Sequence, residues 1–209
     1  MNKLRWLIAM TLLAAASASC SSTQPEESSP PAASVGGEAT PEEAVAPTPE
    51  EVAATPPAAL SDAEIVNITD SVDSAEIAQA NVARSRARHE AVKQFAQHMI
   101  SQHTSAKQRG ADLVHEKNMT PVTSTVSSSL QRGSRQMLET LKAQDLAAFD
   151  VTYIAGQIEE HQQVLQLLNS QLIPSATDAD LRSLLTDARA MVERHIAAAK
   201  TIQQSLATE

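Results

Sequence analysis

From Ser61 onward apolar residues recur at helical spacing, with almost no glycine or proline to interrupt them. Ser61-Asp62-Ala63-Glu64 forms a capping box, in which Ser61 accepts from the amide of residue 64 while Glu64 reaches back, so a helix starts there. Ile65, Ile68, Val72, Ala75, Gln79 and Val82 hold one face to about Ala87, where Arg84, Arg86 and Arg88 gather at the negative pole of the helix. A second helix is predicted from about Glu90 to Lys117, with Val92, Phe95, Met99, Ala106, Leu113 and Val114 on its stripe. The short break near Arg88 makes these two antiparallel neighbours. Asn118 to Ser129 reads as a polar loop containing Pro121, followed by a shorter amphipathic stretch from Leu130 to Ala143. The third long helix spans about Asp145 to Leu172 through Phe149, Tyr153, Ile154, Ile158, Val164, Leu165 and Leu168, and Pro174 ends it. The fourth runs from about Asp178 to Leu206, displaying Leu181, Leu184, Leu185, Ala188, Met191, Val192 and Ile202.

Four helices of about 27 to 29 residues, each near 40 Å long, are thus joined by a short loop, a long crossover and a short loop. That is the connectivity of a ferritin-like up-down-down-up bundle whose crossover contains a short extra helix. No alternating strand pattern is present, so residues 61–209 are read as an all-α domain.

The first 60 residues are of different material. Lys3 and Arg5 precede an apolar run from Trp6 to Ala16 that is too short for a transmembrane helix, and small residues lead from it to Cys20. Residues 1–20 resemble a bacterial lipoprotein signal, in which the cysteine becomes the first mature residue and carries the fatty chains. The sole cysteine stands where that chemistry needs it, although Ser17 occupies a position where such signals usually have leucine. Ser21 follows, where an aspartate would resemble an inner-membrane retention signal, so the resemblance implies anchoring to the outer membrane through Cys20. The alternative is ordinary cleavage after Ala18, leaving a free thiol on a soluble periplasmic protein. Residues 21–60 contain eight of the ten prolines, seven glutamates and no lysine or arginine. Such a chain cannot bury enough apolar surface to offset its ordering entropy and reads as a disordered tether of up to about 100 Å. A binding segment for an envelope partner is the other reading of it.

Charge and composition narrow the chemistry. Sixteen basic against 25 acidic residues give a formal charge of −9, which removes a general attraction to nucleic acid. Outside the signal only Phe95, Phe149 and Tyr153 are aromatic, so base-stacking and sugar-stacking platforms are excluded. The sequence contains no G-x-S-x-G, phosphate-binding glycine loop, H-E-x-x-H or paired C-x-x-C. Nothing in it specifies catalysis.

Polar residues that interrupt the apolar stripes carry what chemistry remains. Glu76, His103, His161 and His195 each fall on the inward face of a different long helix, and glutamate with imidazole suits iron, zinc or copper. The positions three before the histidines are Ile100, Ile158 and Val192, so the di-iron Glu-x-x-His pattern is absent. Counting from Arg88 sets Glu76 and His103 about 4.5 Å apart along the bundle, within reach of each other. Counting from Leu172 and Asp178 sets His161 and His195 about 9 Å apart, which argues against one four-ligand site. Glu159, Glu160 and Glu193 sit beside the histidines and read first as solvated-face carboxylates, with extra metal ligands as the alternative. His89, His98 and His115 read as solvated too, and Asp150 lies about 16 Å along the helix from His161, too far for the same ion.

Several segments together carry a resemblance: Leu60-Ser61-Asp62, Ser74-Ala75-Glu76-Ile77, Val92 to Met99 leading to Gln102-His103-Thr104, Phe149-Asp150-x-x-Tyr153, and Glu160-His161. The chain resembles the bacterial predicted outer-membrane proteins that carry domain of unknown function 4142, over about residues 60 to 206. The resemblance implies a ferritin-like fold and an envelope location and assigns no activity. That family commonly has Asp-His where this chain has Gln102-His103, so one ligand or ligand-orienting carboxylate is missing. Two functions follow as expectations. One is a tethered bundle binding a transition metal through Glu76, His103, His161 and His195, for sequestration or stress protection. The other is a non-catalytic structural or interaction lipoprotein, with an envelope protein partner, whose buried polar residues fix helix register.

Overall fold

The computed structural model describes residues 59–208. The expected signal over residues 1–20, Cys20, and the expected tether as far as residue 58 lie outside the described residues. Within them α1 spans Asp62–Arg86, α2 Glu90–Glu116, α3 Thr125–Ala143 and α4 Phe149–Leu167. A π turn, Leu168–Leu172, and the short α5, Ile173–Ser175, extend α4, and α6 spans Ala179–Leu206. No strand occurs among the described residues.

Hydrogen bonds between the ends of the elements set their directions. The Asp150 carboxylate at the start of α4 accepts from the backbone amides of Arg88 and His89 at the α1–α2 junction, the latter at 2.7 Å. At the other end the Asp62 carboxylate at the start of α1 accepts from the amides of Thr177 and Asp178, at 2.8 and 3.0 Å. α4 therefore runs antiparallel to α1, and the long helices follow the order up, down, down, up. The crossover starts beside the first turn of α1, where Val122 N donates to Ala63 O. α3 then climbs along α1, linked by Gln131 to Ser71, and ends where the Arg86 guanidinium donates to the carbonyls of Lys142 and Gln144. Arg86 thus satisfies the last carbonyls of α3 rather than those of its own helix, and its guanidinium lies 5.5 Å from the centre of the Phe149 ring.

Three boundaries depart from the sequence reading. α3 begins at Thr125, not Leu130, because Ser124 and Ser127 form a reciprocal capping box inside what reads as a polar loop. α4 begins at Phe149, not Asp145; Asp145 Oδ1 instead accepts from the amides of Ala147 and Ala148 in the preceding turn. Pro174 does not end the third long helix, which reaches Ser175. A proline ring collides with the carbonyl four residues back, and the widened π turn, with Ile173 N donating to Leu168 O, accommodates it.

Packing divides the interior into two apolar clusters. Near the α1–α2 junction lie Ala83, Val92, Phe95, Met99, Phe149 and Tyr153. Near the opposite end lie Ile65, Ile68, Leu113, Leu172, Leu181 and Leu185. Between them runs a buried polar band: Asp73, Glu76 and Gln79 on α1, His103 on α2, Gln157 and His161 on α4, and His195 on α6. The buried face of α1 is therefore Ile65, Ile68, Asp73, Glu76, Gln79, Ala80 and Ala83, a turn away from the Val72, Ala75, Val82 stripe. Those apolar residues are half-buried. Val72 and Ala75 line a cavity whose far wall is α3, so α1 is covered on a second side and its sequence shows two overlapping stripes.

Candidate metal centre

Each histidine of the band is oriented by an acceptor at one ring nitrogen, which determines what the other nitrogen can do. His161 Nδ1 lies 2.9 Å from the Gln157 carbonyl oxygen, four residues earlier on α4. A carbonyl only accepts, so Nδ1 carries the proton and Nε2 presents a lone pair. His103 Nδ1 lies 2.8 Å from Asp73 Oδ1, and its Nε2 is buried with no hydrogen-bond partner. His195 Nε2 donates to Gln102 Oε1 at 2.7 Å, which leaves a lone pair on Nδ1. That Nδ1 stands 3.2 Å from His161 Nε2.

With the Gln102 carboxamide oxygen facing His195, two unprotonated nitrogens meet across 3.2 Å in the buried interior, an arrangement that a cation between them relieves. Metal–imidazole bonds of 2.0–2.1 Å at tetrahedral angles separate adjacent donor nitrogens by about 3.3 Å. One donor atom from each of His103, His161 and His195 lies within 4.8 Å of the others. Acceptors on the far side of ligating imidazoles are the usual partners that fix their tautomer, and here they are a carboxylate, a main-chain carbonyl and a carboxamide.

Burial keeps the His161 and His195 rings neutral. Burial holds His161 below the ordinary imidazole range, partly offset by the Glu76 charge. Burial, then the neighbouring His161, His103, His98 and Arg194, brings His195 down to about 2. Neutral imidazole is the form that binds metal. Burial raises Asp73, while the hydrogen bond from His103 pulls it back.

The expected 9 Å offset between His161 and His195 does not occur, because α4 and its extension end at Ser175 rather than Leu172. Three added residues shorten the offset to about 4.5 Å, which the side chains span. Glu76 does not join the three histidines. Its Oε1 lies 3.7 Å from His161 Nδ1, beyond hydrogen-bond reach and on the ring edge turned away from His195. Glu160 is not on a solvated face: its Oε1 accepts from Gln79 Nε2 at 3.2 Å, its Oε2 is buried, and burial followed by the Glu76 charge raises it to about 8. Glu159 and Glu193 are exposed, as are His98 and His115, while His89 is half-buried and caps α2.

Asp73 and Gln102 orient two of the three histidines and did not stand out as site residues in the sequence. Asp73 carried a usable signal, lying three residues before Glu76 and seven before buried Ala80 on one helical face. In the sequence Gln102 stands out only as a departure from an Asp-His pair. On the surface a polar cleft between α2 and α6, about 460 Å³ in volume, is lined by Gln102, Arg109 and Arg194 and so reaches within one side chain of His195.

The family model described as domain of unknown function (DUF4142) matches residues 47–202. No curated protein and no solved structure matches the chain. With the helical bundle and most of the chain inside the matched span, the protein belongs to the DUF4142 family.

Proposed function

We propose that the protein is a lipid-anchored, metal-binding bundle of the cell envelope that holds one transition-metal ion through His103, His161 and His195, for sequestration or stress protection. The observation that carries the reading is the pair of lone-pair nitrogens, His161 Nε2 and His195 Nδ1, 3.2 Å apart. Three imidazoles suit iron, zinc or copper, and the ion would supply the positive charge that the facing nitrogens need. The export signal and Cys20 support the envelope address, with the outer membrane facing the periplasm as the place and an acyl anchor as the attachment.

A second reading draws on the same band. If the Gln102 carboxamide is turned about, its NH₂ donates to His195 Nε2, and His195 Nδ1–H donates to His161 Nε2. The histidines then form a hydrogen-bonded layer that fixes helix register in a structural or interaction lipoprotein with an envelope protein partner. Titration of the metal-free full chain with zinc, copper and anaerobic ferrous ion separates the two. The metal reading predicts one equivalent bound by the parent and at least about a 100-fold loss of affinity in His161→Ala. No uptake by the parent, or equal uptake by the variant, overturns it. A variant that loses stability to the same extent with and without metal supports the register layer.

A further inference from the structure

Four of the seven buried side-chain polar atoms that lack a hydrogen-bond partner among the described residues belong to facing positions of α1 and α4. They are Glu76 Oε2, Tyr153 OH, Gln157 Oε1 and Glu160 Oε2. Residues 153, 157 and 160 follow at spacings of four and three on α4, so they share one helical face, opposite Glu76 and Gln79 of α1. Gln157 donates to Gln79 and Gln79 to Glu160, at 3.1 and 3.2 Å, which ties the two walls together. The charges of Glu76 and Glu160 both act on the Tyr153 hydroxyl, so these three groups are electrostatic neighbours.

We infer that this oxygen-lined chamber is a second cation site, distinct from the three histidines, that takes an oxygen-preferring divalent ion such as manganese, magnesium or calcium. None of the four oxygens hydrogen-bonds to another, although a hydroxyl is among them. A shared proton therefore does not bridge them. An ion bound through metal–oxygen bonds of about 2.0–2.6 Å gives each of these oxygens a partner without a proton between them. Two carboxylates, a carboxamide oxygen and a phenol oxygen are hard donors, unlike the imidazole set next door. A divalent charge also offsets two carboxylates that are otherwise buried with unpartnered oxygens, and Glu76 is only 4 % exposed. Access comes from a cavity of about 200 Å³ lined by Glu76, Glu160, Ser134 and Gln163 between α1, α3 and α4.

The test is a manganese titration of the full chain, with its histidine site first saturated with zinc, following free manganese by electron paramagnetic resonance. The expected result is one manganese ion per chain, with affinity lowered at least about tenfold by Glu160→Gln. Tyr153→Phe lowers it in the same direction, and helical circular dichroism and zinc uptake stay at the parental level in that variant, which keeps the test open should Glu160→Gln fold poorly. His161→Ala is expected to lose zinc and keep manganese. A parent that takes up no manganese, or variants that bind it as the parent does, overturn the second site and point to water in the chamber. Manganese uptake without any zinc uptake overturns the histidine centre and leaves the oxygen site standing.

Discussion

His161 on α4 and His195 on α6 meet nitrogen to nitrogen at 3.2 Å, each ring turned by a different acceptor. The Gln102 carboxamide decides whether that meeting is a metal site or a hydrogen bond, because it alone can reverse its role at His195. Glutamate in its place can only accept. Gln102→Glu therefore keeps His195 Nε2 protonated and preserves metal affinity or raises it. In a register layer the same change removes a donor and costs about 1–3 kcal/mol of stability. Calorimetric metal titration beside urea denaturation of the metal-free variant reads both outcomes.

Asp73 fixes the His103 ring through a 2.8 Å contact while its own carboxylate is nearly buried. Loss of such an orienting partner typically weakens metal binding by about 10–100-fold. Asp73→Ala should show that loss in a competition titration against a chelator, with helix content unchanged. Parental affinity in this variant would mean that His103 needs no orienting partner.

Acid should destabilise the metal-free protein. His161 and His195 stay neutral in the fold, the latter with its pKa brought down to about 2, whereas in the unfolded chain they protonate below about 6.5. Protons taken up only by the unfolded state remove stability as pH falls below about 6.5, by up to about 1.4 kcal/mol per unit for each histidine. Glu160 opposes this. Raised to about 8 from 4.5, it keeps its proton in the fold where the unfolded carboxyl has lost it, so its contribution fades as pH rises toward 8. Urea midpoints measured in chelator from pH 5 to 8.5 should therefore peak near pH 6 to 6.5. A midpoint still climbing at pH 5 would mean that the buried histidines are charged.

Asp150 is remote from the histidines in function as well as along its helix. Its carboxylate ties down the α1–α2 junction from another element, accepting from the amides of Arg88 and His89. Asp150→Ala should lower stability by about 1–3 kcal/mol, the usual cost of leaving partly buried donors unpaired, and leave metal stoichiometry at the parental value. A change in stoichiometry would show that the band senses this end of the bundle.

What the sequence discloses depends on how local the signal is. The starts of α1 and α6 are written in Ser61 with Glu64 and in Asp178, side chains that bond amides two or three residues on. The start of α3 is obscured because its capping box uses serine at both positions, amid the poor helix formers Thr125, Val126, Ser127, Ser128 and Ser129. Glu76 and the three histidines were visible as polar breaks in apolar stripes. Their grouping was not, since it depends on where Pro174 lets the third long helix end and on which ring edge each acceptor holds. Asp73 was hidden by the second covered side of α1, which moves the apparent stripe toward Val72 and Ala75.

X-ray absorption at the zinc edge of the full chain loaded with one equivalent of zinc tests the three-histidine centre most directly. The expected spectrum has nitrogen neighbours at about 2.0–2.1 Å with the outer-shell scattering of three imidazoles, falling to two in His103→Ala. Zinc held in the parent by oxygen alone, by sulfur, or by fewer than three imidazoles would contradict the assignment of His103, His161 and His195 as one metal centre.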